Sequence, residues 1–311
     1  MTAPRFVCLG NLTSDDIVLP DGSVKRRAGG GDALYAGFAA RIFEPTTEIV
    51  APIGNDVPEE TIRRLRVRGF SPASLPVRDR PTLHVEVVYQ PDGERVWTFH
   101  HTEEDFADLS PAPADIPRDY LGADAFLILA MYLDATEALS RYLADKPGLT
   151  ALDPQQDYIP GNEERVREIV SRVDVFLPSA VEVRRLTGSE DWPRASRELA
   201  ALGPRLVVVK LGPEGCFVHD AETGRDLAVP ALPAGVVDAT GAGDSFSGAF
   251  MAALVNTSGD IEAAARAGVA AASFTIGDFG TAGIMAAEPE TVLRRWQQDA
   301  DPANARQEDI A

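Results

Sequence analysis

The feature that most restricts the fold of this chain is a regular alternation of short apolar runs and helical patterns after about residue 120. The strand-like runs are Ala125–Met131, Leu149–Leu152, Val173–Leu177, Leu206–Leu211 and Cys216–His219. Between and after them lie helical patterns at 135–144, 163–171, 181–186, 194–201, 243–255 and 261–276. Apolar strands that alternate with helices are typical of a parallel sheet covered on both faces. We therefore predict an α/β protein with a mainly parallel central sheet.

The amino-terminal part adds a second kind of β structure. Its predicted elements are a strand at Arg5–Leu9, a glycine-rich turn at 29–31, a helix at Ala33–Phe43, a strand at Thr47–Ile53, a helix at Val57–Arg68 and an extended piece near Ser71–Val77. Between Thr82 and His101, two β-rich runs flank the turn sequence Pro91–Glu94, which contains Asp-Gly. This is a hairpin signal, and we expect it to belong to a separate small sheet. The polar tail from Gln297 is expected to fray.

Composition and charge narrow the range of partners. The chain has 311 residues, 29 basic against 48 acidic side chains, and a net charge of −19. A duplex-binding protein needs a basic face, so nucleic acid and anionic membranes are excluded as expected partners. We see no secretory signal or membrane span and only two cysteines, Cys8 and Cys216, which we expect to be buried thiols of a cytoplasmic protein. A phosphorylated ligand would then be held by backbone amides, a metal ion or a few local cations.

The segment VVDATGAGDSFSGAFMAAL, residues 236–254, carries the strongest chemical signal. Small residues at 241–243 precede an almost wholly apolar helix, so their amides would point outward at a helix N-terminus, where an anion is favoured. Asp244 is placed to accept a proton from a hydroxyl beside that anion, which suits phosphoryl transfer to an alcohol. The plainer alternative is a glycine-rich turn in which Asp244 is an acidic first-turn residue. The two aspartates at fixed spacing, Asp238 and Asp244, favour the phosphoryl-transfer site over the plain turn.

Other nucleotide and metal motifs are missing from the sequence. No Gly-x4-Gly-Lys-Ser/Thr pattern occurs, so the phosphate site is not a P-loop. Phe246 stands where a dinucleotide fingerprint would need its third glycine. The histidines His84, His100, His101 and His219 show no metal-ligand spacing, and we expect His100 and His101 to be solvated residues at a strand end.

The segment around Asp244 resembles the second signature of the ribokinase/PfkB carbohydrate kinase family, and the resemblance extends over nearly the whole chain. The other segments that match, in the family's order, are Gly10–Asn11 with Asp15, Ala28–Ala33, Ile53–Asp56, Glu182 and Leu211–Gly215. The resemblance implies a ribokinase-like three-layer sandwich with a small β-sheet lid. It divides the chain into a large α/β domain, residues 1–11, 31–80 and 104–311, and a lid formed by 12–30 and 81–103.

The resemblance also implies an activity: ATP-dependent phosphorylation of a hydroxyl on a sugar or sugar-like molecule. Asp244 would be the catalytic base, and Gly241, Ala242 and Gly243 would form the anion hole. The remaining roles are Asp15, Gly30 and Asp32 for the acceptor, Lys210, Gly212 and Gly215 for ATP, Glu182 for Mg²⁺ through water, and Asp238 for a monovalent cation such as K⁺. The nucleotide would lie over Gly212–Gly215 and the segment near Ala267–Gly283. Relatives often dimerise through the lid, which implies a homodimer here.

Two departures from the family pattern bear on specificity. Ser179 stands where the family usually has asparagine, so the network of waters around magnesium is expected to differ. Leu34 falls where a ribose-binding asparagine is usual, while Asp32 supplies the nearby polar group. Asp32 is placed either to accept hydrogen bonds from two sugar hydroxyls or to cap the helix that follows. Asp15, if it is not simply part of a turn, and Asp32 favour a neutral polyol over a sugar acid.

Alternatives remain for the substrate and for the class of protein. Ribose, fructose, keto-deoxy acids, nucleosides and inositols are all open as acceptors. A nucleotide-dependent oxidoreductase would need a glycine-rich turn after the first strand, and Gly10–Leu12 is not that turn. A non-catalytic sugar-binding or regulatory protein on the same fold would be marked by loss of the base, whereas Asp244 is present.

Overall fold

The computed structural model describes residues 3–89 and 95–298, which build one eight-stranded and one four-stranded sheet. The strands of the central sheet are β1 (Phe6–Leu9), β4 (Glu48–Val50), β9 (Ala125–Ile128), β10 (Leu149–Leu152), β11 (Val175–Phe176), β12 (Leu206–Lys210), β13 (Cys216–Asp220) and β14 (Arg225–Val229). Their order is β14-β13-β12-β11-β10-β9-β1-β4. The strands from β4 to β12 in this order run parallel, and β13 alone is reversed, pairing antiparallel with both β12 and β14. The mainly parallel sheet is thus confirmed.

Helices cover both faces of this sheet because its strands are apolar on both sides. The helices are α1 (Asp32–Phe43), α2 (Glu59–Val67), α3 (Glu103–Asp108), α4 (Leu133–Leu143), α5 (Glu163–Val170), α6 (Ala180–Thr187), α7 (Trp192–Ala200), α8 (Ala242–Asn256), α9 (Ile261–Thr275), α10 (Ala282–Ala286) and α11 (Pro289–Gln298). In β1, Phe6 and Cys8 join the core beneath α1, α8 and α9, while Val7 and Leu9 join the core beneath α4–α7. The result is the expected three-layer sandwich.

Helices α1 and α8 pack at very close range, because glycine lies where they meet. A Cβ placed on Gly248 would lie 2.2 Å from the carbonyl oxygen of Ala36, so a larger residue would push the helices apart. Both helices begin at the carboxyl edge of the parallel strands. Their close packing therefore brings the first turns of α1 and α8, with Asp32 and Asp244, to the same place.

The second sheet is small and separate. Its strands are β2 (Thr13–Val18), β3 (Val24–Gly30), β7 (Leu83–Tyr89) and β8 (Arg95–Phe99), in the order β3-β2-β7-β8. Strands β7 and β8 pair antiparallel as the hairpin signal predicted, and the turn at Pro91–Glu94 lies outside the described residues. Asp15 lies within β2, so the turn considered for it is wrong. A two-stranded piece, β5 (Ile53–Gly54) with β6 (Val77–Arg78), completes the β structure described.

The structure corrects several element boundaries. The predicted strand at 47–53 is divided into β4 and β5, because Pro52 between them has no amide hydrogen to donate to a ladder. Strand β14 was not predicted, since it is an exposed edge strand with little apolar patterning. Helices α3, α10 and α11 were also missed, and the extended piece near Ser71 contains a 3-10 turn at Pro72–Ser74. No helix in the described ranges is long and apolar enough to cross a membrane. Cys8 and Cys216 are free, buried thiols, as expected.

Candidate active site

The amino end of α8 has the geometry of an anion site. Gly241 precedes the helix with a φ of 73°, and no side chain caps the first turn. A Cβ on Gly241 would lie 2.2 Å from the ring of Tyr35, so that only glycine fits beneath this ring. The first amides of a helix lack partners within the helix. Gly241, Ala242 and Gly243 therefore form a helix start without a side-chain cap, where the Ala242 amide makes only a long bond of 3.4 Å to the Ala239 carbonyl.

A lysine supplies the positive charge beside this helix start. A Cβ placed on Gly243 would lie 3.5 Å from the Lys210 Nζ. Lys210 ends β12, and its Nζ donates to an Asp153 carboxylate oxygen at 2.5 Å and to the Ser247 hydroxyl at 3.4 Å. Ser247 also donates to Asp153, at 2.7 Å. Although burial lowers the pKa of Lys210, the charges of Asp153 and Glu182 raise it overall. Lys210 therefore stays charged.

Carboxylates from several elements converge on Lys210 at the carboxyl edge of the sheet. Burial, and next the negative charge of Asp153, raise the pKa of Asp244 to about 7 against the opposing effect of Lys210. Burial, followed by the charge of Asp244, raises the pKa of Asp32 well above its ordinary value. Clustered carboxyl groups whose pKa values are pushed toward neutrality are typical of acid–base sites.

Glu182 belongs to the same cluster and also closes a capping box. The Ser179 amide donates to Glu182 Oε2 at 2.5 Å, and the Glu182 amide donates to Ser179 Oγ at 3.4 Å. Serine and asparagine are comparable N-cap residues, so Ser179 preserves this start of α6. Burial raises the pKa of Glu182 to about 7, although Lys210 acts in the opposite direction. Glu182 is buried rather than an ordinary surface charge of a helix.

Asp15 and Gly30 lie face to face on neighbouring strands. A Cβ on Gly30 would come within 2.0 Å of Asp15 Oδ2, so glycine is required opposite this carboxylate. Among the described residues, the buried Asp15 Oδ1 has no hydrogen-bond partner. Burial raises the pKa of Asp15 to about 7 even though the Thr13 hydroxyl lowers it. An unpaired, buried carboxylate oxygen is costly unless a ligand satisfies it.

Asp32 lies at the start of α1, where the charges of Asp244 and Asp153 act on it. Its Oδ1 accepts the amide hydrogen of Asn11 at 2.7 Å, and Gly31, not Asp32, is the N-cap residue of α1. The alternative of Asp32 as the helix cap is therefore wrong. A Cβ on Gly10 would lie 2.1 Å from Asp32 Oδ1, which explains the small residue at the end of β1.

The remaining predicted residues lie in two loops. Gly212 and Gly215 have φ values of 59° and 94° in the turn between β12 and β13, where Leu211 donates to the Gly215 carbonyl at 2.8 Å. The side chain of Lys210 points away from this turn, into the acidic cluster. Asp238 is buried, and its two carboxylate oxygens accept the amides of Thr240 and Gly280, each at 2.8 Å. Asp238 thus connects the loop before α8 to the segment after α9.

Sequence reasoning missed several residues of the site. Asp153 follows β10 directly, and an acidic residue just after an apolar strand is the signal that could have found it. Ser247 is a hydroxyl inside an apolar helix, and Tyr35 and Asn11 became visible only through their contacts. His101 was expected to be solvated, but it is half-buried, and burial lowers its pKa. His100 is exposed, as expected.

A cavity of about 380 Å³ lies at the opposite, amino-terminal edge of the sheet. Two arginines line it, but Arg5 is paired with Glu44 and Asp124, and Arg205 with Asp220 and Glu222. Ligands of open α/β sheets bind at the carboxyl ends of the strands. The site is therefore the acidic cluster at the carboxyl edge.

Comparison with known proteins agrees with this geometry. Residues 10–287 match the model of the pfkB family of carbohydrate kinases. The chain is 30% identical to a cytidine kinase of Thermococcus kodakarensis over 249 residues, which cover 79% of this chain and 87% of that protein. The chain therefore belongs to the pfkB carbohydrate kinase family, and its enzyme class is a phosphotransferase with an alcohol group as acceptor.

Solved structures establish the fold. Arabidopsis thaliana ribokinase complexed with ribose and ATP superposes with a TM-score of 0.75 at 24% identity, over 95% of this chain and 99% of that one. Burkholderia thailandensis nucleoside kinase in complex with inosine gives 0.78 at 16% identity, over 94% and 97% of the two chains. The ribokinase-like fold predicted from the motifs is confirmed.

Proposed function

We propose that this protein transfers the γ-phosphoryl group of ATP to a hydroxyl of a sugar or nucleoside. The observation that carries the proposal is Asp244 in the first turn of α8, beside the uncapped helix start at Gly241 and next to Lys210. This arrangement places a proton acceptor, an anion site and a fixed positive charge together. All three are needed when an alcohol attacks a phosphoryl group.

The proton transfer follows from the acidities of the groups. An alcohol is about as weak an acid as water, with a pKa of about 16. Asp244, with a pKa of about 7, cannot ionise the alcohol in advance. It accepts the proton while the oxygen–phosphorus bond forms in a loose transition state. The amides of residues 241–243 and the ammonium of Lys210 stabilise the negative charge of the group in transfer, so alignment and electrostatics supply most of the rate.

The cluster suits magnesium held through water. Mg²⁺ prefers oxygen ligands and keeps several waters, and the carboxylates of Glu182 and Asp153 face this position beside Lys210. Within the described ranges, no group of three or more His, Cys, Asp or Glu side chains could hold a metal directly. When bound, Mg²⁺ neutralises charge on the phosphates of ATP. Glu182 and Asp153 would orient its waters, and a monovalent cation would lie beside Asp238.

The two substrates would approach from different sides. The nucleotide would lie over Gly212 and Gly215, and the acceptor would be held by Asp15, Gly30 and Asp32. The names of the relatives, a cytidine kinase and a ribokinase with ribose and ATP, favour a sugar or nucleoside hydroxyl. The small sheet lies within segments 12–30 and 81–103, and we propose that it is a lid that closes over the acceptor and excludes water. We also propose a cytoplasmic homodimer that associates through the lid.

The test is ATP consumption by the purified protein with a panel of sugars, polyols and nucleosides, with nicotinamide absorbance as a control for redox chemistry. We expect magnesium-dependent ADP formation with at least one acceptor and a phosphorylated product. An absence of acceptor-dependent ADP with every compound, from a folded protein that binds ATP, would contradict the proposal.

A further inference from the structure

A continuous row of aromatic rings connects the small sheet to the carboxyl edge of the central sheet. We call it the aromatic row: Phe99, His101, Phe106, Tyr132 and Tyr158. Ring centroids are 5.6 Å apart from Phe99 to His101, 5.9 Å from His101 to Phe106, and 6.4 Å from Phe106 to the nearly parallel Tyr158. None of these rings is fully buried; Phe99 is exposed and the others are half-buried.

One end of the aromatic row lies on the same face of the small sheet as Asp15. In the register of this sheet Asp15 is opposite Val85, and Val85 is opposite Phe99. Residues that are paired across neighbouring strands point to the same face of a sheet. Phe99, 62% exposed, therefore projects from the face that carries the unpaired Asp15 carboxylate oxygen.

The other end of the row is connected to Asp32 through hydrogen bonds. Asn11 donates its backbone amide to Asp32, and its side-chain amide donates to the Leu109 carbonyl at 2.7 Å. The next residue, Ser110, donates to the Phe106 carbonyl at 2.8 Å and accepts the Tyr132 amide at 3.2 Å. The backbones of Phe106 and Tyr132 are thus connected through a few hydrogen bonds to Asp32, the second carboxylate proposed to hold the substrate.

The two ends connect the aromatic row to the elements that carry two carboxylates, Asp15 in β2 and Asp32 at the start of α1. The carboxylates suit the hydroxyls of a sugar, but a free sugar has no aromatic group to cover the four half-buried rings. Aromatic side chains that keep exposed ring surface are platforms on which planar bases stack. We infer that the acceptor is a nucleoside, with its sugar on Asp15 and Asp32 and its nucleobase against Phe106 and the adjoining rings. This inference rests on the proposed kinase function and narrows its substrate class.

Binding measurements separate this inference from the chemistry. Isothermal calorimetry would use cytidine and adenosine as pyrimidine and purine probes, and ribose as the probe without a base. Base–aromatic stacking is worth about 5- to 150-fold in affinity. We expect a nucleoside to bind more tightly than ribose by a factor within this range. Phe106→Leu should weaken nucleoside binding by a similar factor, whereas ribose binding should change less than about twofold.

Two further variants are controls for misfolding. Phe106→Tyr keeps the ring and should bind nucleosides like the wild type. Tyr142→Leu makes a comparable truncation at a half-buried ring on α4, where the ring contacts Lys146 rather than the aromatic row, and should leave binding unchanged. Ribose binding that equals nucleoside binding, or equal losses for both ligands in Phe106→Leu, would overturn the inference. Nucleoside binding that depends on Phe106 without any ATP consumption would instead count against the kinase proposal alone.

Discussion

Replacing Asp244 by asparagine removes the proposed base with little change of volume. General-base loss typically lowers turnover by about 10²–10⁴-fold. The raised pKa adds a dependence on pH, because only the ionised carboxylate can accept the proton. With a pKa of about 7, the ionised fraction of Asp244 is about 0.9 at pH 8 and about 0.1 at pH 6. The wild-type kcat/KM should therefore fall about tenfold from pH 8 to pH 6, whereas the kcat/KM of Asp244→Asn should not show this decrease.

The same pKa predicts the effect on stability. Burial favours the protonated form of Asp244 in the folded state, so between its ordinary value and about pH 7 the folded protein binds more protons than the unfolded chain. The contribution of Asp244 to stability therefore falls as the pH rises through this window. At pH 8 the buried charge is a cost that asparagine removes. The melting temperature of Asp244→Asn at pH 8 should be at or above that of the wild type.

The assay is kcat/KM from coupled ADP release between pH 6 and 9 on the best acceptor, beside ATP binding and thermal melts. Asp260→Asn is the matched control, because Asp260 caps the similarly long α9 at the opposite edge of the sheet and asparagine caps equally well. Near-wild-type turnover of a folded Asp244→Asn protein would refute the assignment of the base. A loss ratio that stays constant from pH 6 to pH 8 would refute the raised pKa.

Three other predictions concern magnesium, the acceptor and assembly. Glu182→Gln should raise the Mg²⁺ concentration needed for half-maximal activity several-fold at near-normal acceptor affinity; an unchanged Mg²⁺ titration would leave Glu182 only its capping role. Gly30→Ala should raise the acceptor KM by about 10- to 100-fold, because the new Cβ meets the Asp15 carboxylate and disturbs its charged hydrogen bond to the acceptor. The control Gly122→Ala places its Cβ in open space and should leave the KM unchanged. Static light scattering should report a homodimer, because β8 is an edge strand with an exposed Val96; a monomer at every concentration would contradict association through the lid.

Much of the fold could be predicted from local sequence. Runs such as Ala125–Ile128 are apolar at every position because both faces of the strand are buried, and this pattern is visible without tertiary contacts. The string around Asp244 predicted a helix start with outward amides because glycine and alanine permit close approach there. Family membership followed from motifs of this kind. Edge strand β14 and the short helices α3 and α10 were not predicted, because their sequences carry little periodicity and their structure depends on neighbouring elements.

Only the tertiary structure decided which charged side chains lie next to each other. Asp153, Glu182, Lys210 and Asp244 are separated by up to 91 positions, yet each alters the pKa of another because parallel strands bring their carboxyl ends to one edge. The sequence determined which residues carry charge, but desolvation depends on what the folded chain packs around them. The raised pKa of Asp244 and the contact of Lys210 with Asp153 are therefore properties of packing, which no local pattern contains.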